Sequence, residues 1–227
     1  MLWVRRAIVL PGFKSGWHTL NTYLVLRADR VSGPYEIVNA NATVKYRDGE
    51  GGGGGDFSLF VDDDRNRTCY IIYTSSVGIV VQRLDPTCTR TASGAKTSTP
   101  IHPDCEAPSM FKRNSTYYLM FGQKCCFCAK GTGVHVYRAT HPLGPFTYQG
   151  QINRLGKGAP SDPIRVHAQQ AAVSRVGGQW VWVGDRWQHA SDSLKGHDPQ
   201  AWLPLTFDAS GRVGQLQWLS EWTPADL

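Results

Sequence analysis

The chain has no long apolar run. No stretch approaches the roughly 18 consecutive apolar residues that a membrane-crossing helix needs. Sustained helical periodicity is missing too, so no amphipathic helix is expected to carry the core. Lysines and arginines are scattered, with no run beyond Arg5-Arg6, which argues against a nucleic-acid footprint. Glycines crowd residues 49–55, but the Gly-Lys-Ser/Thr ending of a phosphate-binding loop is absent. Cys125-Cys126-Phe127-Cys128 has no second cysteine pair and no histidine pair at zinc spacing, so disulfides are expected there and no metal or cofactor. The start, Met1 to Pro11, has an apolar run of only Ala7 to Leu10 after its arginines, too short for a signal peptide.

What is present fits β-structure. The 227 residues are 41% hydrophobic, and tryptophan and tyrosine are plentiful. Formal net charge is +6, a solubility feature or a weak attraction to acidic polymers. Six cysteines and three N-glycosylation sequons, beginning at Asn41, Asn66 and Asn114, point to a secreted, extracellular protein. That conflicts with the missing signal peptide, and the expectation is that the true N-terminus lies upstream. Cys105 is expected to bridge to the Cys125–Cys128 loop, and Cys69 with Cys88 is a second plausible pair. Six cysteines leave the connectivity open.

Three stretches share one form: a polar residue, a short apolar strand, a polar turn and an aromatic strand. Asp56 leads Phe57 to Phe60, the acidic turn Asp62-Asp63-Asp64 and Cys69 to Tyr73. Glu106 leads a strand to Phe111, a turn over Lys112 to Ser115 and a strand from Thr116. Gln169 leads Ala171 to Val173, the turn Gly177-Gly178 and Gln179 to Val183. Pro108 lacks an N–H, so the Glu106 end of its strand belongs at a sheet margin. A lone glutamate at a strand end is usually a solvated edge residue. Hairpins repeating at this spacing suggest propeller blades, in which Asp56, Glu106 and Gln169 would face one pocket.

The outer half of the blade repeats as well. Tyr23 to Leu26 precedes Gly33-Pro34-Tyr35, and Val134 to Tyr137 precedes Gly144-Pro145-Phe146. Near the end, Trp180 to Val183 leads into Gly184-Asp185-Arg186-Trp187. Asp185 and Arg186 read either as a surface ion pair or as polar groups at a pocket rim beside an aromatic platform. His197, in the loop Lys195 to Asp198, reads equally as functional or as solvated.

The motif Glu-Ala-Pro-x-Met-Phe-Lys-Arg-x-x-x-Tyr-Tyr-Leu, Glu106 to Leu119, resembles glycoside hydrolase family 43. Asp56-x-x-Leu-Phe-Val-Asp-Asp-Asp, Gly184 to Trp187 and Trp202-Leu203-Pro204-Leu205 resemble its exo-β-1,3-galactanase branch. The resemblance covers roughly residues 20 to 222. It implies an all-β fold, a five-bladed β-propeller, with residues 1–227 as a single domain. The His-Gly-Gly-like and Tyr-Trp-Tyr-Gly-Glu-like stretches of the family's first blade are absent, so about four blades are expected.

The resemblance also implies an O-glycosyl hydrolase, exo-acting and inverting on β-1,3-galactan or arabinogalactan. Glu106 matches its general acid. Asp56 matches the carboxylate that orients the acid, and its negative charge disfavours a second one beside it. Gln169 matches a glutamine that stands where other members have an aspartate base, and Gln170 is the fallback alignment. A neutral amide is a very poor base, so the role read for it is holding a water. Asp185, Arg186, Trp187 and Gln170 are the expected substrate-binding residues. The expected partner is a polysaccharide or oligosaccharide, with no nucleic acid, no membrane and a monomeric chain. The alternative is a non-catalytic carbohydrate-binding propeller or an inactive fragment.

Overall fold

The computed structural model describes residues 2–8, 18–44, 55–94, 97–102, 104–125, 127–155 and 163–223. Among these, every strand lies in an antiparallel sheet, and the helical content is one 3-10 turn, Lys195–His197. No described helix is long and apolar enough to cross a membrane. The chain divides into two compact units, Met1–Pro103 and Asp104–Leu227.

The first unit holds two three-stranded meanders. Strands β1 (Leu2–Ile8), β2 (His18–Arg27) and β3 (Glu36–Thr43) form one, and β4 (Phe57–Val61), β5 (Cys69–Ser75) and β6 (Gly78–Arg83) the other. The segment read only as a poor signal peptide is thus a strand paired with β2. Strand β5 is buried along its whole length, which is why Tyr70-Ile71-Ile72-Tyr73 reads as a continuous apolar run rather than an alternation. Tyr23 meets Phe57 edge-on, with ring centroids 4.7 Å apart, and both pack with Val25, Ile71, Tyr73 and Val80. The acidic turn is held from inside: Thr68 donates its N–H and its hydroxyl to the Asp64 carboxylate at 2.8 and 2.6 Å. These bonds, the hydroxyl's foremost, hold Asp64 below the usual carboxylate range. Cys69 and Cys88 form a disulfide, the second pair read from the sequence. Residues 45–54, with most of the glycine run, lie outside the described residues.

The second unit holds a four-stranded sheet in the order β10-β9-β8-β7. Its strands are β7 (Cys105–Arg113), β8 (Thr116–Gln123), β9 (Val134–Ala139) and β10 (Thr147–Gln151). Beside it are β11 (Gln169–Val176), β12 (Gln179–Asp185) and β13 (Gln200–Pro204). The β7–β8 turn is tighter than the sequence suggests. Arg113 still pairs with Thr116, leaving Asn114-Ser115 as the loop, with Asn114 at φ 55°. Asparagine tolerates that left-handed backbone, so Lys112 and Arg113 stay in the strand. The β11–β12 turn is Gly177-Gly178, at φ 56° and 89°, as two positive-φ hairpin residues require.

Phe111 and Tyr118 stack with centroids 4.8 Å apart, and Trp180 leans on Phe111 at 4.6 Å. With the fully buried Trp182 they anchor the core of this unit. Full burial of one such side chain contributes about 1.5–3 kcal/mol. Strands β7 and β11 are neighbours across the two sheets, joined by Val173 N–H donating to Ser109 Oγ at 3.0 Å.

Pro108 sits where the sequence placed it, on the outermost strand of its sheet. Register with β8 breaks between Glu106 and Ser109, and Ala107 is at φ 53°. This is a bulge, which re-aims the side chain beside it. The Gly-Pro repeat is structural in both units. Gly33 (φ 81°) and Gly144 (φ 84°) each precede a cis proline, and the following ring, Tyr35 or Phe146, closes over the glycine.

The sulfur pairing expected around Cys105 is corrected for Cys125 and Cys128, the described cysteines of that loop. Cys125 bonds to Cys128, and Cys105 is buried and belongs to neither described disulfide. Residue 126 lies outside the described residues. Alternation along β7 turns Cys105 inward, away from the face of Glu106. The Cys125–Cys128 loop closes on itself instead. All three sequon asparagines are exposed, Asn66 and Asn114 in turns and Asn41 on β3.

Candidate active site

Two of the three residues at equivalent hairpin positions meet directly. Gln169, at the start of β11, donates its Nε2 to Glu106 Oε1 at 2.6 Å. Trp187, just past β12, donates its indole N–H to Gln169 Oε1 at 2.7 Å. An indole N–H can only donate, so this contact fixes which end of the amide is oxygen, and the other end must face the carboxylate. The backbone N–H of Cys125 also donates to Glu106 Oε1, at 3.2 Å. Glu106 is half-buried and Gln169 is 4% exposed.

Both residues stand beside a bulge. The β11–β12 register breaks between Gln170 and Ala172, as β7 does after Glu106. Interrupted pairing at the same end of two neighbouring strands lets both side chains turn towards each other rather than along their sheets.

Gln170 points elsewhere. It is 1% exposed and accepts a short hydrogen bond from Trp182 Nε1 in the core. Its Nε2 has no hydrogen-bond partner among the described residues. Alternation along β11 explains this, since adjacent residues face opposite sides. Asp185 pairs with Gln169 across the sheet and accepts from Gln200 Nε2 at 2.8 Å. Arg186 lays its guanidinium 4.6 Å above the ring of Trp218. No Asp185–Arg186 ion pair occurs among the described residues. Asp56 belongs to the first unit, where it is exposed and its carbonyl accepts from Thr74 N–H at 2.8 Å.

Two features were missed in the sequence. Phe127 stands on the Cys125–Cys128 loop, 48% exposed, and meets Trp187 edge-on with centroids 5.1 Å apart. Lys195 Nζ sits 2.9 Å above the Phe127 ring centroid. Only the unusual cysteine spacing marked this region. His197 is the solvated alternative, since it is exposed and pairs with Asp192 at 2.6 Å. That contact is the leading reason why Asp192 is held below the usual carboxylate range.

On the buried side of β7, Cys105 Sγ and a ring nitrogen of His135 lie within 4.8 Å of each other. His135 is in turn within 2.7 Å of Gln151 Nε2 and 3.2 Å of Tyr148 Oη. Burial pushes the Cys105 thiol up to about 11, so it stays protonated at neutral pH.

The arrangement offers a carboxyl group with an amide locked against it, and an indole behind the amide. An acid that protonates a glycosidic oxygen needs a carboxyl group. Gln169 keeps a second lone pair on Oε1 and a second hydrogen on Nε2, enough to hold a water. The direct contact also leaves no room for a sugar between the two. Inverting hydrolysis needs the two working groups about 6.5–9.5 Å apart.

The family model for glycosyl hydrolases family 43 matches residues 11–211. The chain belongs to glycoside hydrolase family 43. No curated protein sequence matches it. Among solved structures it is similar to an exo-β-1,3-galactanase from Phanerochaete chrysosporium, with TM-score 0.66 and 22% identity over 88% of this chain and 44% of that one. An exo-β-1,3-galactanase from Clostridium thermocellum gives 0.63 and 20%, over 86% and 42%. An α-L-arabinofuranosidase from the same organism gives 0.61 and 22%, over 87% and 65%. At these identities the likeness is one of fold, and the chain spans less than half the length of the two galactanases.

Proposed function

We propose that the chain is the hydrolytic module of an exo-acting, inverting enzyme on β-1,3-galactan. Glu106 is the general acid, Gln169 positions the attacking water, and Asp56 orients the acid. The observation that carries the reading is the Trp187–Gln169–Glu106 hydrogen-bond chain in a family 43 chain. In the reaction Glu106 gives its proton to the leaving oxygen as the bond to the anomeric carbon breaks. Water held by Gln169 adds from the opposite face and releases its proton to surrounding water, from which the Glu106 carboxylate regains one. The sugar enters by replacing the Gln169–Glu106 contact. On this reading the protein acts outside the cell as a monomer. Support for galactan comes from the galactanase neighbours, one of them bound to β-1,3-galactotriose.

A second reading is a carbohydrate-binding propeller without turnover. The closed Gln169–Glu106 contact favours it. Glu106→Gln separates the two. The amide keeps the shape but cannot donate the proton, so galactose release should fall by about 10²–10⁴-fold with oligosaccharide binding nearly unchanged. Asp56→Asn and Gln169→Ala should each lower the rate. Release by Glu106→Gln at the wild-type rate removes Glu106 as the acid. Binding without release by the wild type leaves the second reading.

A further inference from the structure

Phe127 and Lys195 gather around Trp187 and have no part in the proposed chemistry. Phe127 is tied next to the acid, because its loop is closed by the Cys125–Cys128 disulfide and Cys125 N–H touches Glu106. The loop is also pinned from the other side, where Gln188 Nε2 donates to Phe127 carbonyl oxygen at 2.7 Å. Phe127 and Gln188 both hold left-handed backbone, φ 68° and 61°. Strained residues of this kind persist only where the surroundings fix them, and they gather at binding sites.

Lys195 comes from a loop that is equally fixed. The Asp198 carboxylate accepts from the backbone N–H groups of Gln188, His189 and Ala190 at 2.9, 2.9 and 3.0 Å. That loop holds Lys195 Nζ 2.9 Å over Phe127 and 5.2 Å over Trp187. The two nearest carboxylates in sequence are already engaged, Asp192 with His197 and Asp198 with the backbone. Among the described residues Lys195 has no carboxylate within ion-pair distance. The result is an exposed aromatic edge and an ammonium group that no anion among the described residues neutralises.

Aromatic side chains offer a large rigid apolar surface to the C–H face of a sugar ring. An ammonium group at the rim favours an anion. We propose that Phe127, Trp187 and Lys195 form a subsite contiguous with Glu106 that takes a sugar ring carrying a carboxylate, a uronic acid. This rests on the reading of Glu106 and Gln169 as the sugar-cleaving site. It deepens that reading by naming an acidic galactan, rather than a neutral one, as the preferred ligand. The net charge of +6 acts in the same direction.

The test is calorimetric titration of the Glu106→Gln chain with β-1,3-galactobiose and with galacturonosyl-β-1,3-galactose, which differs in a single carboxylate. The acidic disaccharide should bind about three- to fivefold tighter at low salt, the range of an exposed ion pair, and the difference should vanish in about 1 M salt. Lys195→Met should erase the preference. Phe127→Ala should weaken both ligands by roughly tenfold, and Phe127→Tyr should restore them. Equal binding of the two disaccharides, a preference that survives Lys195→Met, or no binding of either overturns the proposal. Galactose release by the wild type is scored separately. Its loss condemns the hydrolase reading, and a missing carboxylate preference condemns the subsite.

Discussion

Gln169 and Glu106 are bonded side chain to side chain at 2.6 Å although 63 residues separate them. The amide is oriented by Trp187, so the pair is a triad in practice.

Removing the orienting donor should act on rate rather than on folding. Trp187→Phe keeps the ring and deletes the N–H, freeing Gln169 to rotate. One such hydrogen bond is worth about 1 kcal/mol, so turnover should drop about fivefold with KM little changed. Steady-state kinetics on galactan oligosaccharides checks this. Unchanged turnover would show that Trp187 only packs.

The two disulfides should differ in what they stabilise. Their sequence separations are 19 for Cys69–Cys88 and 3 for Cys125–Cys128. Chain entropy then assigns about 3 kcal/mol to the first and about 2 kcal/mol to the second. Urea unfolding of the Cys69→Ser/Cys88→Ser and Cys125→Ser/Cys128→Ser pairs measures the difference. The Cys125–Cys128 change should harm sugar binding more, because that loop carries Phe127 and the N–H on Glu106. The reverse order for binding would contradict the site.

Stability should decline in alkali. Burial is the main cause that raises Cys105 from 9.0 to about 11, and it also raises Tyr137 and Tyr148. A raised acid is neutral in the folded chain while the unfolded chain already ionises. Its contribution is therefore complete below about pH 9 and is lost as pH rises towards 11. Cys105→Ala should flatten the pH dependence of the melting temperature in that window, leaving the tyrosine share. An identical slope in wild type and variant would refute it.

Trp182 and Gln170 form the other buried amide–indole pair. Trp182→Phe strands a Gln170 carbonyl that water cannot reach, and the smaller ring opens space in the core. Together these should cost roughly 2–4 kcal/mol. Adding Gln170→Leu should recover part of that, since it also removes an amide nitrogen that has no described partner. Denaturant midpoints of the single and double variants decide this. Additive losses would deny the coupling.

The hairpins were legible because their signals are local. Alternation, aromatic strands and the Gly177-Gly178 and Gly-Pro turns place β7, β8, β11 and β12 to within three residues. Turn width was not, since Asn114 alone can take the left-handed backbone that lets Arg113 remain paired. The choice between Gln169 and Gln170 was open for a related reason. Strand alternation says that the two face opposite ways, but only the surrounding sheets say which way is inward.

By itself the sequence determined the β-rich character and the repeated hairpin, and it put Glu106 and the Gln169-Gln170 pair at matching strand mouths. These follow from side-chain patterning and turn chemistry, which act over a few residues. Tertiary structure alone decided that Cys125 closes onto Cys128 while Cys105 is buried in β7. It also decided that Trp187 locks Gln169 against Glu106, and that Phe127 and Lys195 meet beside them. Apart from the Cys125–Cys128 link, those contacts join residues 18 or more positions apart. Their geometry depends on where two bulges and two pinned loops turn the chain, and no local pattern records that.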